Sequence, residues 1–263
     1  MGRMVSFPDF IEKIKVNRLK RSIESGKLNG YALPKHVAFI PDGNRRYATK
    51  HHSPPLQGHL AGYDKAKELL NWALDIGIQT LSLYAFSTEN FKRSPEEITH
   101  LMELLLKASL EISKDEKIHR NKVRIRFIGN RNLLPPALIR EINTVEEGTR
   151  QYSNFALNIA IGYGGRDEIL RAVQRIGLKV LEGSLAPDSI SETTIQQFLD
   201  TGMQQDPDLI IRTSGEQRIS GFLSWQGTYS ELCFQQTLFP AYQQHHFLTA
   251  IHQFQMRNRR YGK

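Results

Sequence analysis

The chain has 263 residues, 40% of them hydrophobic, a formal net charge of +8 and one cysteine, Cys233. A lone thiol closes no intramolecular disulfide, no run approaches the roughly 18 apolar residues of a membrane span, and the opening MGRMVSFPDF lacks the apolar core of a secretory signal; the expectation is a soluble cytoplasmic protein of one globular domain. The charge is lopsided, with 11 Lys+Arg against 4 Asp+Glu in residues 1–50 and 24 against 23 in the rest, which argues against a broad nucleic-acid footprint.

Residues 6–26, SFPDFIEKIKVNRLKRSIESG, read as a helix with Ser6 as N-cap, Pro8 in the first turn and Gly26 as the stop. Phe7, Phe10, Ile11, Ile14 and Ile23 are expected to form one apolar stripe among its lysines and arginines. Two readings stay open: a helix packed on the body with a solvated basic face, or a helix lying on a membrane surface.

Strand-like apolar runs follow at 36–40, 78–86, 123–128, 155–161 and 208–211. Helical patterns fill the gaps. GHLAGYDKAKELLNWALDIG repeats Leu60, Tyr63, Ala66, Leu70, Ala73 and Leu74 at helical spacing and stops at Gly77. SPEEITHLMELLLKASLEISKDEKIH opens on Ser94 as N-cap with Pro95 and acids behind it, and further helices fit 136–150, 166–181, 191–199 and 241–257. Alternating strands and helices predict an α/β fold: one domain, a mainly parallel central sheet and helices on both faces.

Each unusual polar cluster follows a strand. HVAFI leads to PDGNRRY, LSLYAF to STENFKR, FALNIAI to GYGGR and DLII to RTSGEQRIS. Ligands of open α/β sheets bind outside the carboxyl ends of strands, so arginines, hydroxyls and the acids Asp42, Glu89 and Glu216 converge on one rim suited to a multiply anionic ligand. In the first cluster Gly43 permits close backbone approach, the amides of Asn44 to Tyr47 open a helix toward an anion, and Arg45 or Arg46 adds charge. Asp42 then either helps hold Mg2+ beside a diphosphate or caps the next helix; spacing leaves both open.

HVAFIPDGNRRYA, YAFSTENFKRS, IGYGGRDEI and DLIIRTSGEQRISGFLSWQGTYSELCF together resemble the cis-prenyltransferases, the undecaprenyl and dehydrodolichyl diphosphate synthase family. The resemblance runs from about Leu33 to the closing NRRYGK. The chain then divides into the basic amphipathic N-terminal helix, residues 1–30, and a catalytic domain that the resemblance implies over 31–263. The implied reaction joins C1 of an allylic diphosphate to C4 of isopentenyl diphosphate and leaves a Z double bond in a polyprenyl diphosphate. By resemblance Asp42, Gly43, Asn44, Arg45 and Arg46 hold the allylic diphosphate, with Tyr47 as an aromatic wall and His59 close by; Asp42 and Glu231 are the metal-linked acids for Mg2+. Arg212, Arg218 and Ser220 match the isopentenyl diphosphate site. Asn90 and Arg93 match a motif tied to condensation and proton loss, which makes them catalytic together with Asp42, while Ser87 and Glu89 of the same segment are expected to bind substrate. A homodimer, with peripheral membrane contact and no nucleic acid, completes the expectation.

Other residues have plainer readings. His51 and His52 lie in a solvated loop, Cys233 is a small buried residue, and Arg124 and Arg126 mark an exposed face or a dimer contact. Leu101, Met102, Leu105 and Leu106 read as core rather than as determinants of chain length, while Ala85 matches a small position by the tail tunnel. The sequence departs from the family at Tyr47 for tryptophan, at Gln217 for histidine, at Pro54 and Pro55 where an arginine is frequent, and at Gly221 where asparagine or aspartate is usual. Gly221 raises an alternative, irregular coupling with dimethylallyl diphosphate as acceptor. A non-catalytic partner subunit is a second alternative, against which the intact Asp42 motif speaks. Trans-type enzymes need paired aspartates, and no two aspartates are adjacent here.

Overall fold

A computed structural model describes residues 7–257. Ser6, the side chains of Phe7 and Pro8, and the closing NRRYGK lie outside the described residues. Six strands, β1 (His36–Ile40), β2 (Thr80–Ser87), β3 (Val123–Ile128), β4 (Phe155–Tyr163), β5 (Leu209–Arg212) and β6 (Glu231–Phe234), form one sheet in the order β3-β4-β2-β1-β5-β6, every pair parallel. Side chains alternate across it. Val37, Phe39, Leu81 and Leu83 enter a large core with α3 (Pro55–Ile76), α4 (Pro95–Ile112), α6 (Pro136–Thr149) and α9 (Gln244–Met256). Ala38, Ile40, Tyr84 and Ala160 face a smaller core closed by Phe222 and Leu223, beside α7 (Gly165–Leu181).

The expected α/β architecture is the one observed, and the five anticipated strands lie within two residues of their bounds. Strand β6 lies outside that expectation, because four residues of mixed polarity give no period. The single helix expected after Ser94 breaks: α4 ends at Ile112, and Asp115 caps a separate α5 (Glu116–Arg120) through the Lys117 amide. The edge strand β3 is protected by α6, whose Thr149 hydroxyl and Glu146 carboxylate accept the Ile125 and Phe127 amides at 3.1 and 2.8 Å.

Helix α1 (Phe7–Leu28) corrects two expectations. Gly26 does not stop it; a Cβ there would meet the Gln255 side chain at 3.1 Å, so this glycine serves the close approach of α1 to α9. Nor do the apolar residues share a stripe. Val16 and Ile23 are buried on α9, whereas Phe10 and Ile14 are 54% and 52% exposed on the outer side.

Candidate active site

Three strand ends and one helix deliver polar residues to one cavity of about 860 Å³, lined by Asp42, Gly43, Asn44, Arg45 and Arg46 after β1, by His59 of α3, by Ser87, Glu89, Asn90 and Arg93 after β2, and by Arg212, Glu216, Arg218 and Ser220 after β5. Five arginines face three acids among the lining residues, so the cavity is built for anions.

The turn after β1 is made by Gly43 at φ 107°, where a side chain would also strike Leu238 at 2.9 Å. It starts α2 (Asn44–Lys50) without a side-chain cap, so Asp42 does not cap the helix and its first amides remain for an anion. Glycines of α3 seat α2 beside it: a Cβ on Gly58 would meet the Asn44 carbonyl at 2.1 Å, and one on Gly62 the Asn44 side chain at 2.5 Å.

Asp42 and Arg212 form the centre. Arg212, 5% exposed, donates from Nη2 to Asp42 Oδ2 at 2.8 Å and from Nη1 to Ser220 Oγ at 2.7 Å and the Arg218 carbonyl at 2.6 Å. The Asp42 backbone is tied to Thr213 Oγ1, which accepts from its amide at 2.9 Å. Burial pushes the Asp42 carboxyl up, but hydrogen bonds from Arg212 and Ser214 and the charges of Arg212 and Arg46 outweigh it, holding the group ionised below its ordinary value. Arg46 donates to Ser214 Oγ at 2.5 Å and lies 3.3 Å from Glu216. Arg218, 62% exposed at its side chain, is hydrogen-bonded to the same Glu216.

On the other wall, Ser87 and Asn90 form a capping box that fixes the turn Thr88–Lys92. Arg93 donates to Glu97 Oε1 at 2.9 Å, and His59 lies 3.2 Å from the same oxygen. Burial, ahead of every other influence, lowers the His59 pKa, so the imidazole is neutral near pH 7. Sequence reasoning misses Glu97 as a site residue. Its position in the first turn of a helix reads as a dipole effect, and only the fold brings His59, 38 residues away, onto it. Ser214, which receives Arg46, is missed in the same way.

Two expected residues are not brought into this cavity. Tyr47 turns its ring onto His51, at 4.3 Å between centroids, and does not line the site. Glu231 stands at the opposite end of the sheet: it pairs in register with Leu209, three residues and roughly 10 Å along β5 from Arg212, and accepts from Arg257 at 2.5 Å. Arg166 of GYGGR is also exposed outside the cavity. A register shift between Tyr84 and Phe86 leaves Ala85 as an extra residue, and Ala85, Phe86 and Leu101 form the apolar end of the cavity. Met102 is buried core.

Gly221 sits at φ 74°, and the space where a Cβ would stand is open, with the Gly165 amide nitrogen 3.6 Å away. Asparagine and aspartate are the side-chain residues that adopt this conformation readily, so glycine preserves the backbone of the usual family residue. The departure is met by backbone geometry and does not favour irregular coupling.

The family model described as "Putative undecaprenyl diphosphate synthase" matches residues 40–262. The tritrans,polycis-undecaprenyl-diphosphate synthase (geranylgeranyl-diphosphate specific) of Thermoplasma volcanium is 46% identical over 263 residues, covering 100% of both chains. The protein of the same name from Methanocaldococcus jannaschii is 45% identical over 262 residues, 99% of this chain and 94% of its own. Among solved structures, lavandulyl diphosphate synthase from Lavandula x intermedia, in complex with dimethylallyl diphosphate, superposes with a TM-score of 0.84 at 33% identity, covering 88% of this chain and 99% of that one. The four segments that build the cavity thus sit in a chain matched over nearly its whole length, and the protein belongs to the cis-prenyltransferases of the undecaprenyl diphosphate synthase family.

Proposed function

We propose that this prenyltransferase extends an allylic diphosphate of the geranylgeranyl class with isopentenyl diphosphate. The primer class is supported by the names of the archaeal relatives. In each addition the allylic C1–O bond breaks, diphosphate leaves with the electron pair, C1 bonds to C4 of the acceptor, and a proton departs to leave a Z double bond. The primer diphosphate lies on the α2 amides with Arg45 and Arg46; the acceptor diphosphate lies at Arg218 and Ser220. Arg212 carries this reading, because one guanidinium joins Asp42 on the first side to Ser220 on the second. Asn90 and Arg93 face the reacting end from the opposite wall. The tail points toward Ala85, Phe86 and Leu101.

Mg2+ fits this chemistry through one protein carboxylate, with substrate phosphate oxygens and water completing its shell. Asp42 is ionised, 29% exposed at its side chain and on the cavity. When bound, the ion supplies charge to the leaving diphosphate. Glu231 is assigned no part in this within one chain.

The reading includes a homodimer, a cytoplasmic location, residues 1–30 as an accessory unit to the catalytic body, and contact of α1 with a membrane. The membrane contact is supported by Phe10, Ile14 and Leu28 exposed beside Lys13, Arg18 and Arg21 on the side of α1 turned from the body, and no helix among the described residues is long and apolar enough to cross a bilayer. The two-site assignment is tested by Arg218→Ala and Arg45→Ala. The first is expected to raise the KM for isopentenyl diphosphate roughly tenfold, and the second that for the primer, each a lost charged hydrogen bond. The opposite pattern exchanges the two sites.

A further inference from the structure

The segment carrying Arg218 and Ser220 turns through Ser220 at φ 49°, Gly221 at φ 74° and Leu223 at φ 46°. Two of these three have side chains in a region that disfavours them, so the surroundings must hold the turn in shape. Beneath it lies an aromatic cluster drawn from three separate segments. Tyr84 of β2 and Phe222 stack at 4.5 Å and 9°, and Tyr163 at the end of β4 stands edge-on to both, at 5.9 and 5.8 Å. Tyr163, Phe222 and Leu223 are fully buried.

The Tyr84 hydroxyl donates to the Tyr163 carbonyl at 3.1 Å and reaches the Ser220 carbonyl at 3.5 Å. Burial, together with the nearby Glu89 charge, pushes its pKa up, so it stays a donor. Gly165 completes the bed: a Cβ there would meet the Gly221 carbonyl oxygen at 2.4 Å and Ser224 Oγ at 2.4 Å. The GYGG turn is therefore a platform for the 218–224 segment, and Tyr84 fastens the two together.

We propose that Tyr84 is a positioning residue for the acceptor site, acting through the Ser220 backbone and the Phe222 ring to set Ser220 Oγ. The inference rests on the assignment of Arg218 and Ser220 to the acceptor diphosphate. It makes acceptor affinity depend on a tyrosine that donates to main-chain oxygens.

The test uses the full chain with primer and acceptor varied separately, for Tyr84→Phe, Phe222→Leu and Arg218→Ala, alongside melting temperatures. Tyr84→Phe is expected to raise the acceptor KM about threefold to tenfold while the primer KM stays within about twofold, the effect of a lost neutral hydrogen bond felt on one side only. Phe222→Leu should move the acceptor KM in the same direction. An unchanged acceptor KM in both, or primer and acceptor KM rising together in step with lost thermal stability, overturns the inference while leaving the site assignment intact provided Arg218→Ala still raises the acceptor KM. If Arg218→Ala leaves that KM unchanged, the site assignment itself falls, and this inference with it.

Discussion

Arg212 divides one guanidinium among three oxygens, and that geometry changes what its neighbours are for. Asp42 is the counter-charge of an arginine 5% exposed, so it supports the fold as well as the chemistry proposed for it. Asp42→Ala should therefore abolish turnover and also lower unfolding stability by about 1–3 kcal/mol, the cost of leaving a buried donor unpaired. Asp42→Asn should lose turnover equally yet keep most of the stability, since its amide oxygen can accept from Arg212. Urea unfolding and initial rates on both variants check this; a folded, active Asp42→Asn enzyme in Mg2+ removes Asp42 from the chemistry. Arg212→Lys should raise both KM values, because a point charge cannot serve Asp42 and Ser220 at once. At this scale the sequence is informative where clusters follow strands, as with PDGNRR and RTSGEQR. Glu97 and Ser214 are not legible in it, since each acts on a partner 38 or 168 residues away.

Among the elements, α1 has two faces with different roles. The inner face is fixed by Ile23, fully buried, by Gly26 against Gln255, and by Glu12 accepting from His245 Nδ1 at 2.5 Å. The outer face presents Phe10 and Ile14 with Arg18 and Arg21 nearby, so composition alone leaves the packed and membrane-bound readings open and the packing of α1 accommodates both. Phe10→Glu with Ile14→Glu should leave the melting temperature unchanged and reduce sedimentation with vesicles rich in anionic phospholipid several-fold; binding equal to wild type contradicts a membrane role for this face.

Strands β1, β2 and β4 are joined at the end of the sheet far from the cavity by another buried link. His36 Nδ1 lies 2.7 Å from the Gln205 carbonyl and Nε2 lies 2.7 Å from Ser82 Oγ, which also accepts from Asn158 Nδ2 at 2.9 Å. A neutral imidazole with its proton on Nδ1 satisfies all three. Burial lowers the His36 pKa to about 4, so the unfolded chain takes up the proton first as pH falls. The stability from this site is complete above about pH 6.5 and is lost, by roughly 3 kcal/mol, on descending to about pH 4. Urea unfolding across that range should show the loss, and His36→Gln should flatten it; an identical pH profile in the variant contradicts the assignment.

At the scale of the molecule, the parallel sheet and its helices are legible because buried strands and amphipathic helices alternate with their own periods. What stays hidden is non-local: β6 exists only by pairing with β5, and Glu231 reads as part of the site motif until the register puts it beside Leu209. The central claim, elongation with Z geometry, is tested most directly by incubating the protein with Mg2+, labelled isopentenyl diphosphate and geranylgeranyl diphosphate, then separating the products and reading their new double bonds by NMR. The expected result is a ladder of products, each one isoprene unit longer and each new bond Z, that vanishes on chelation of the metal. Folded protein that consumes no isopentenyl diphosphate with this or any shorter allylic primer, or that forms only E bonds, would contradict it.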